Sequence, residues 1–216
     1  MMELPEVMRS AAGIREYRAE PLSDAVIARV LDQARFAPSG LNRQAWRVVV
    51  VRSAQQRARV GEHYARVWQS LMDERCAQGQ WSPDDPGVQA GTKFAQSFGQ
   101  VPLQFTIWGD LSQIEVIDID QPHPSLVAGG SVFPFVQNLI LACRNEGVGT
   151  RLTTLLTRDP QPIREILKVP ESLSLATVVA AGYPVKWPAA LARAKVESFA
   201  RWDSFDGPPV KASEQD

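Results

Sequence analysis

The segment that follows Pro21 carries apolar side chains at three- and four-residue spacing. They are Leu22, Val26, Ile27, Val30, Leu31 and Ala34. This period places them on one face of a helix, and Ser23 or Asp24 is a suitable N-cap. Proline at position 38 biases Ala37 away from the helical region, so the helix should end there. The pattern predicts a helix whose apolar face packs in a core.

Four further segments have the composition of strands: residues 46–51, 101–108, 150–157 and 173–181. The first holds four consecutive valines that do not alternate with polar residues, which predicts a strand covered on both faces. Helices are expected between the strands, and this alternation on its own favours a parallel α/β sheet.

Residues 53–80 predict a long charged helix with an apolar stripe. After it, residues 79–87 hold two glycines and two prolines and predict a loop, which continues towards the next strand. A long loop with exposed aromatics is often a lid or binding loop. Four aromatic residues are therefore candidates to line an acceptor site, although buried aromatics need no such function: Trp68, Trp81, Phe94 and Phe98.

Residues 129–147 are apolar on nearly all sides and predict a central buried helix, with Gly147 as its C-cap. The pair Gln137 and Asn138 needs an explanation there, because buried amides cost free energy unless they are hydrogen-bonded. Either they bond the backbone of a neighbouring element, which we favour for Asn138, or they lie beside a ligand.

Composition limits the class of protein. The chain has 216 residues, 44% hydrophobic and 22% charged, with a net charge of -1. These values predict one globular domain over residues 1–216 and argue against nucleic acid as a partner. Cys76 and Cys143 are expected as free thiols, and no Cys/His spacing indicates a metal. No apolar run has the length of a membrane span and the first residues do not form a signal peptide, so a cytoplasmic location is expected.

Neither histidine belongs to a recognisable catalytic constellation. His63 falls on the charged helix and His123 lies between two prolines. Both are therefore expected to be structural or solvent-facing, and no side chain is predicted as a nucleophile or general acid.

A polar loop joins the first helix to the valine strand. Ser39, Asn42, Arg43 and Gln44 lie within it, and Gly40 lets the chain turn. Asn and Gln each carry donors and an acceptor, so together they can match a heterocyclic edge, while an ordinary polar loop is the alternative. The run from Ala37 to Trp46, Ala-Pro-Ser-Gly-Leu-Asn-Arg-Gln-Ala-Trp, resembles the Ala-Pro-Ser-x-x-Asn-x-Gln-Pro-Trp signature of the FMN-dependent nitroreductase family.

A second similarity lies at the end of the central helix, where Gly147-Val148-Gly149 is similar to the family's Gly-Leu-Gly turn, and Gly182-Tyr183-Pro184 matches its strand exit. The resemblance implies an α+β fold with a mostly antiparallel sheet flanked by helices, in place of a parallel sheet, and an intertwined homodimer. It also implies FMN as cofactor and NAD(P)H as electron donor. Flavin N5, not a side chain, would carry the chemistry, and an electron-poor aromatic or quinone would be the acceptor. Reductive dehalogenation, C–C dehydrogenation, or flavin binding with little turnover are the alternatives.

The resemblance implies a set of cofactor-binding positions. The loop supplies Pro38, Ser39, Asn42 and Gln44, the central helix Gln137, and the turn and strand after it Gly149, Leu152, Thr153 and Thr154. The family's N-terminal Arg-Arg-Ser-hydrophobic-Arg holds the phosphate and the pyrimidine edge. Here Arg15 matches its last arginine, but Ala11, Ala12 and Gly13 replace the others. Arg9 lies nearby and could substitute for a missing arginine if the helix starts differently, so Arg9 and Arg15 are the cofactor-binding candidates of this segment.

The C-terminal tail, residues 186–216, carries aromatics that have no obvious place in a monomer: Trp187, Phe199, Trp202 and Phe205. Such surface needs a partner to cover it, so the tail is expected to embrace a second copy of the chain. Arg193 and Lys195 are similar to the family's basic segment that grips the phosphate, with a solvated tail as the alternative.

Overall fold

The computed structural model describes residues 2–123 and 125–211. Its helices are α1 Leu4–Ser10, α2 Asp24–Ala34, α3 Ala54–Ala77, α4 Pro86–Ser97, α5 Val127–Gly130, α6 Phe133–Asn145 and α7 Gln161–Leu167. Its strands are β1 Trp46–Val51, β2 Leu103–Asp110, β3 Gly149–Thr153 and β4 Leu173–Gly182. Short 3-10 turns occur at Gly40–Asn42, Phe98–Gln100, Leu111–Gln113, Leu155–Arg158 and Val196–Ser198.

The four strands form one sheet in the order β1-β2-β4-β3, and every neighbouring pair is antiparallel. In register, Val50 pairs with Phe105 and Thr106 pairs with Val178. The antiparallel sheet implied by the resemblance is therefore confirmed, and the parallel sheet that the alternation of elements favours is wrong. The reason is that β4 lies between β2 and β3. These two strands run in the same direction and are connected through α6, but β4 separates them, so no parallel pair forms.

The sheet separates two cores. The first core packs α2 and α6 on one face, with Val30, Phe105 and Leu139 fully buried. The second core packs α3, α4 and α7 on the other face, with Val60 and Ile163 fully buried. Side chains of β1 take part on both faces, as the run of valines predicts: Val48 and Val50 pack on the first core and Val49 on the second.

The expectation of an irregular segment between the long helix and β2 is wrong for residues 86–97, which form α4. Asp85 is its N-cap and accepts the Gly87 N–H at 2.7 Å, and Pro86 occupies the first turn. Gly91 is present in the helix because of packing: a Cβ there would lie 2.4 Å from Cη2 of Trp68. Gly91 therefore lets α4 pack closely against Trp68 of α3 because it has no side chain.

One helical stretch among the described residues, Val127–Asn145, has the length and apolar character of a membrane span, with a mean hydropathy of 1.2. It contains α6, whose Phe135, Val136 and Leu139 are buried in the first core. Its apolar face is therefore accounted for by packing against the sheet.

Candidate functional site

The polar loop between α2 and β1 has a strained backbone. Leu41, Asn42 and Gln44 adopt left-handed conformations, with φ of 52°, 54° and 50°. Each non-glycine residue there costs about 1–2 kcal/mol, and such strain persists at positions that the surrounding structure holds for function. Leu41 is also 77% exposed, so burial of its side chain in this chain does not compensate the cost.

Short hydrogen bonds hold the loop in this shape. The Ser39 Oγ accepts the Gln44 N–H at 3.0 Å, and Gln44 Nε2 donates to the Asn42 carbonyl and to its Oδ1, both at 3.3 Å. The Gly40 N–H donates to Oγ of Ser131, just before α6, at 3.1 Å. The Asn42 and Gln44 amides therefore lie together at the surface, as the paired-amide interpretation requires, while Pro38 is exposed beside them.

Two cavities lie along the segment that follows α1. The Trp187 cavity, of about 530 Å³, is lined by Ile14, Arg15, Lys93, Phe94 and Trp187, among others. The Arg193 cavity, of about 360 Å³, is bordered by Ala11, Ala12, Gln137, Arg151, Leu152 and Arg193. Gly13 lines both cavities, so the two cavities adjoin at this segment.

The segment carrying Gly13 runs beside the edge of the sheet. Gly13 forms a parallel bridge with Thr150, and the Ile14 N–H donates to the Thr150 carbonyl at 2.8 Å. The Tyr17 hydroxyl donates to the Ile14 carbonyl at 2.9 Å. The segment and β3 are therefore held as one unit between the two cavities.

The electrostatics of these cavities are positive. Burial lowers the pKa of the Arg151 guanidinium, and the nearby charge of Arg15 lowers it further. At the rim, Lys93 donates to Glu16 at 2.6 Å, which lowers the pKa of that exposed carboxyl. Among described residues, neither Arg15 nor Arg151 donates a hydrogen bond to a protein acceptor, so this pair favours an anionic ligand.

The structure brings together some of the predicted cofactor residues. Arg15 lines the Trp187 cavity, and Gln137, Leu152 and Arg193 line the Arg193 cavity. Other predicted residues line neither cavity in this chain: Arg9, Pro38, Ser39, Asn42, Gln44, Gly149, Thr153, Thr154 and Lys195.

Two of these outcomes have clear physical reasons. Gly149 packs closely within the chain, because a Cβ there would meet Cγ1 of Ile14 at 2.7 Å. Its role is to let β3 approach the neighbouring segment. The Thr153 Oγ1 is taken up within the chain, since it bonds the Tyr64 hydroxyl at 3.1 Å and accepts the Leu155 N–H at 3.3 Å.

The predicted acceptor residues divide into two groups. Trp68 and Trp81 pack together with ring centroids 5.7 Å apart, and Trp68 Nε1 donates to Oγ1 of Thr92 at 2.9 Å. Phe94 is 4% exposed but borders the Trp187 cavity. Phe98 is fully buried, and its ring centroid lies 4.0 Å from that of Tyr64. The expectation that Phe98 is exposed for an acceptor is therefore wrong, because its side chain packs in the second core.

The C-terminal tail begins against its own chain. The ring of Trp187 lies 4.1 Å from the guanidinium carbon of Arg144, whose Nε donates to Oγ of Ser10 at 3.0 Å. Trp187 therefore already has a contact within its own chain, and it is partly buried. The aromatics further along are exposed as expected: Phe199 by 69%, Trp202 by 55% and Phe205 by 99%.

His63 is buried and has a structural role. Its Nε2 lies 2.8 Å from the Asp159 carbonyl oxygen and 3.6 Å from Oδ2 of the same residue. A carboxylate partner was not expected from the sequence, because Asp159 is distant along the chain. Cys143 is buried, which raises the pKa of its thiol to about 12 and makes it unreactive.

Sequence reasoning missed Arg151, Lys93 and Gly13 as cavity-lining residues. Only Arg151 carried a usable signal, since a charged side chain in a short buried strand requires a partner or a ligand. Lys93 could not be found because α4 itself was not predicted.

Comparison with known proteins gives a consistent family. A family model, the nitroreductase family, matches residues 9–183. The NADH dehydrogenase of Thermus thermophilus is 27% identical over 187 residues, covering 80% of this chain and 82% of that protein. The 5,6-dimethylbenzimidazole synthase of Rhodobacter capsulatus is 25% identical over 181 residues, covering 84% and 83%.

A solved structure has the same fold. The FMN-dependent nitroreductase NfnB from Mycobacterium smegmatis, in complex with NADPH, aligns with a TM-score of 0.69 at 18% identity, covering 93% of this chain and 97% of that one. At this identity the likeness shows the fold alone.

Proposed function

Because the chain belongs to the nitroreductase family, we propose that it is an FMN-dependent oxidoreductase that uses NAD(P)H to reduce an electron-poor aromatic or quinone. The observation that carries this proposal is the pair of cavities that share Gly13 in their lining. Four predicted cofactor residues from different parts of the chain line these cavities: Arg15 lines the Trp187 cavity, and Gln137, Leu152 and Arg193 line the Arg193 cavity. When bound, FMN would supply the redox chemistry by accepting hydride and passing it on.

The residues present fit this cofactor. A flavin nucleotide has an anionic phosphate at one end and a pyrimidine edge rich in donors and acceptors at the other. Arg193 would pair with the phosphate in the cavity that bears its name. Arg15 would place positive charge beside the pyrimidine edge, where reduction increases negative charge. Leu152 would cover the ring and exclude water, because its apolar side chain borders the cavity.

We propose that the second copy of an intertwined homodimer completes the site. The strained loop around Asn42 lines neither cavity of its own chain, yet its amides are exposed and fixed for recognition. The exposed aromatics of the tail, Phe199, Trp202 and Phe205, would be covered by the partner. In this proposal residues 1–216 form one domain, and residues 186–216 are the tail that embraces the partner. A cytoplasmic location is also proposed, because the free thiols of Cys76 and Cys143 fit a reducing compartment.

The acceptor would bind on the Trp187 cavity side. Phe94 and Trp187 offer aromatic surface there, and Lys93 adds positive charge at the rim. Aromatic rings stack on a flat acceptor, and a cation can donate hydrogen bonds to the oxygens of a nitro group or a quinone. Trp68 and Trp81 are proposed as its outer wall.

Colour and bleaching test the proposal against its alternatives. Purified protein should be yellow, should bleach with NADH or NADPH under argon, and should regain colour when a nitroaromatic or a quinone is added. Yellow protein that does not bleach would indicate flavin binding with little turnover. Bleached protein that is reoxidised by a halogenated phenol, but by neither a nitroaromatic nor a quinone, would indicate dehalogenation.

A further inference from the structure

Arg151 occupies an unusual place in the sheet. It lies on β3 between buried Thr150 and exposed Leu152, and its own side chain is half-buried. Its guanidinium extends over Gly13, where an added Cβ would lie 2.8 Å from Nη1. It also borders the Arg193 cavity.

The guanidinium of Arg151 has no internal partner among residues 2–123 and 125–211. The other half-buried arginines of this part of the chain all donate to acceptors: Arg57, Arg75, Arg144 and Arg164. The titratable groups that act on Arg151 are Arg15, Tyr64 and Tyr17, and none is a carboxylate. A half-buried cation beside a second cation and without an acceptor is unfavourable for the ligand-free fold.

The space around Arg151 explains how it reaches the cavity. Ala11, Ala12 and Gly13 border the Arg193 cavity, so the segment that runs beside β3 contributes only small side chains to its lining. Gly13 has no side chain to block the guanidinium, and Arg193 approaches the same cavity from the tail. Two guanidiniums thus face one polar space from different elements.

We propose that Arg151 is a phosphate-binding residue of this site and that, with Arg193, it holds the terminal phosphate of FMN. The planar guanidinium matches two phosphate oxygens, and a dianion would neutralise both arginines. Arg151 thereby does from β3 what basic residues at positions 11 and 12 would do from the N-terminal segment. The inference rests on the proposed function, because it requires a flavin nucleotide in these cavities.

A comparison of FMN with riboflavin tests this assignment, since riboflavin has the same ring and ribityl chain but no phosphate. Flavin is removed from purified protein with concentrated salt, and each flavin is titrated back while its fluorescence is measured. The variants are Arg151→Ala, Arg151→Lys and, as a matched control, Arg66→Ala, which removes an exposed arginine of α3 that lines neither cavity. Thermal melts establish folding, and Arg151→Gln replaces the alanine variant if that variant does not fold.

We expect Arg151→Ala to raise the Kd of FMN about 10- to 100-fold, the effect of losing one charge-assisted pair, and to leave the Kd of riboflavin within about twofold. Arg151→Lys should lie between wild type and alanine, because it keeps the charge and loses the fork. Arg66→Ala should match wild type.

Equal weakening of FMN and riboflavin would place Arg151 at the ring and overturn the assignment, and so would an unchanged FMN Kd in Arg151→Ala. If the wild-type protein binds neither flavin, the proposed function itself fails. If wild type prefers FMN and Arg151→Ala keeps the same preference, the inference fails and the proposed function stands.

Discussion

Replacing Asn42 separates the two roles that the structure gives this residue. Its φ of 54° is left-handed, and its amide accepts from Gln44 Nε2 at 3.3 Å on an exposed surface. Alanine would lose the amide and strain the backbone. Glycine would lose the amide but adopts this φ freely. The pair Asn42→Ala and Asn42→Gly therefore distinguishes a contact with the cofactor from a backbone effect.

The magnitudes follow from these contacts. The exposed hydrogen bond to Gln44 contributes little to stability, so the backbone dominates: Asn42→Ala should lower the free energy of unfolding by about 1 kcal/mol. Asn42→Gly should change it by less than about 1 kcal/mol. If the amide meets the flavin edge, both variants lose a matched donor and acceptor, at about 1–3 kcal/mol of binding free energy, which is about 5- to 150-fold in the Kd of FMN.

Urea unfolding and a fluorescence titration with FMN measure the two quantities. We expect both variants to bind FMN more weakly while only the alanine variant is less stable. Wild-type affinity in Asn42→Gly would remove the amide from the cofactor site. Weak binding by Asn42→Ala alone would show that loop shape, and not the side chain, is what the cofactor requires.

Three further predictions address the acceptor, the tail and the packing. Trp81→Ala should slow reoxidation by a quinone and leave reduction by NAD(P)H unchanged in stopped-flow; equal loss of both steps would argue against an acceptor wall. Removal of residues 186–216 should give colourless protein that is monomeric or aggregated on a sizing column, and a yellow dimer would refute the tail's role. Gly61→Ala should destabilise the fold by about 1–3 kcal/mol in urea, because its Cβ would lie 2.4 Å from backbone atoms of Gly99; Gly130→Ala, with no atom within 4 Å, is the control.

The sequence predicts the elements whose patterns arise from burial alone. The α2 stripe is confirmed by the burial of Ile27, Val30 and Ala34, and the Ser23 cap by its bond to the Val26 N–H. The valine run is confirmed as β1. Strand direction was not available from the pattern, because alternating strands and helices fit both parallel and antiparallel sheets; only the motif resemblance indicated the answer.

Prediction failed where tertiary packing assigns a residue its role. The sequence around Pro86 and Gly91 reads as a loop, but Gly91 is small because Trp68 lies against it. The aspartate cap before the proline was the available signal for α4. The site shows the same limit: Arg193 and Gln137 were candidates from the resemblance, whereas the place of Arg151 over Gly13 depends on the fold, because the two residues are far apart in sequence.

The division of the protein by its sheet has a consequence for how such a protein can diverge. The helix before the Asn42 loop, α2, packs in the first core, while Trp68 and Phe94 pack in the second. Substitutions separated by the sheet share few neighbours, so their effects on stability should add to within about 0.3–0.5 kcal/mol. Selection for a new acceptor can thus repack one side of the molecule while the side that supports the loop keeps its stability. The sheet therefore separates side chains that can change with the acceptor from side chains that must keep the Asn42 loop in place.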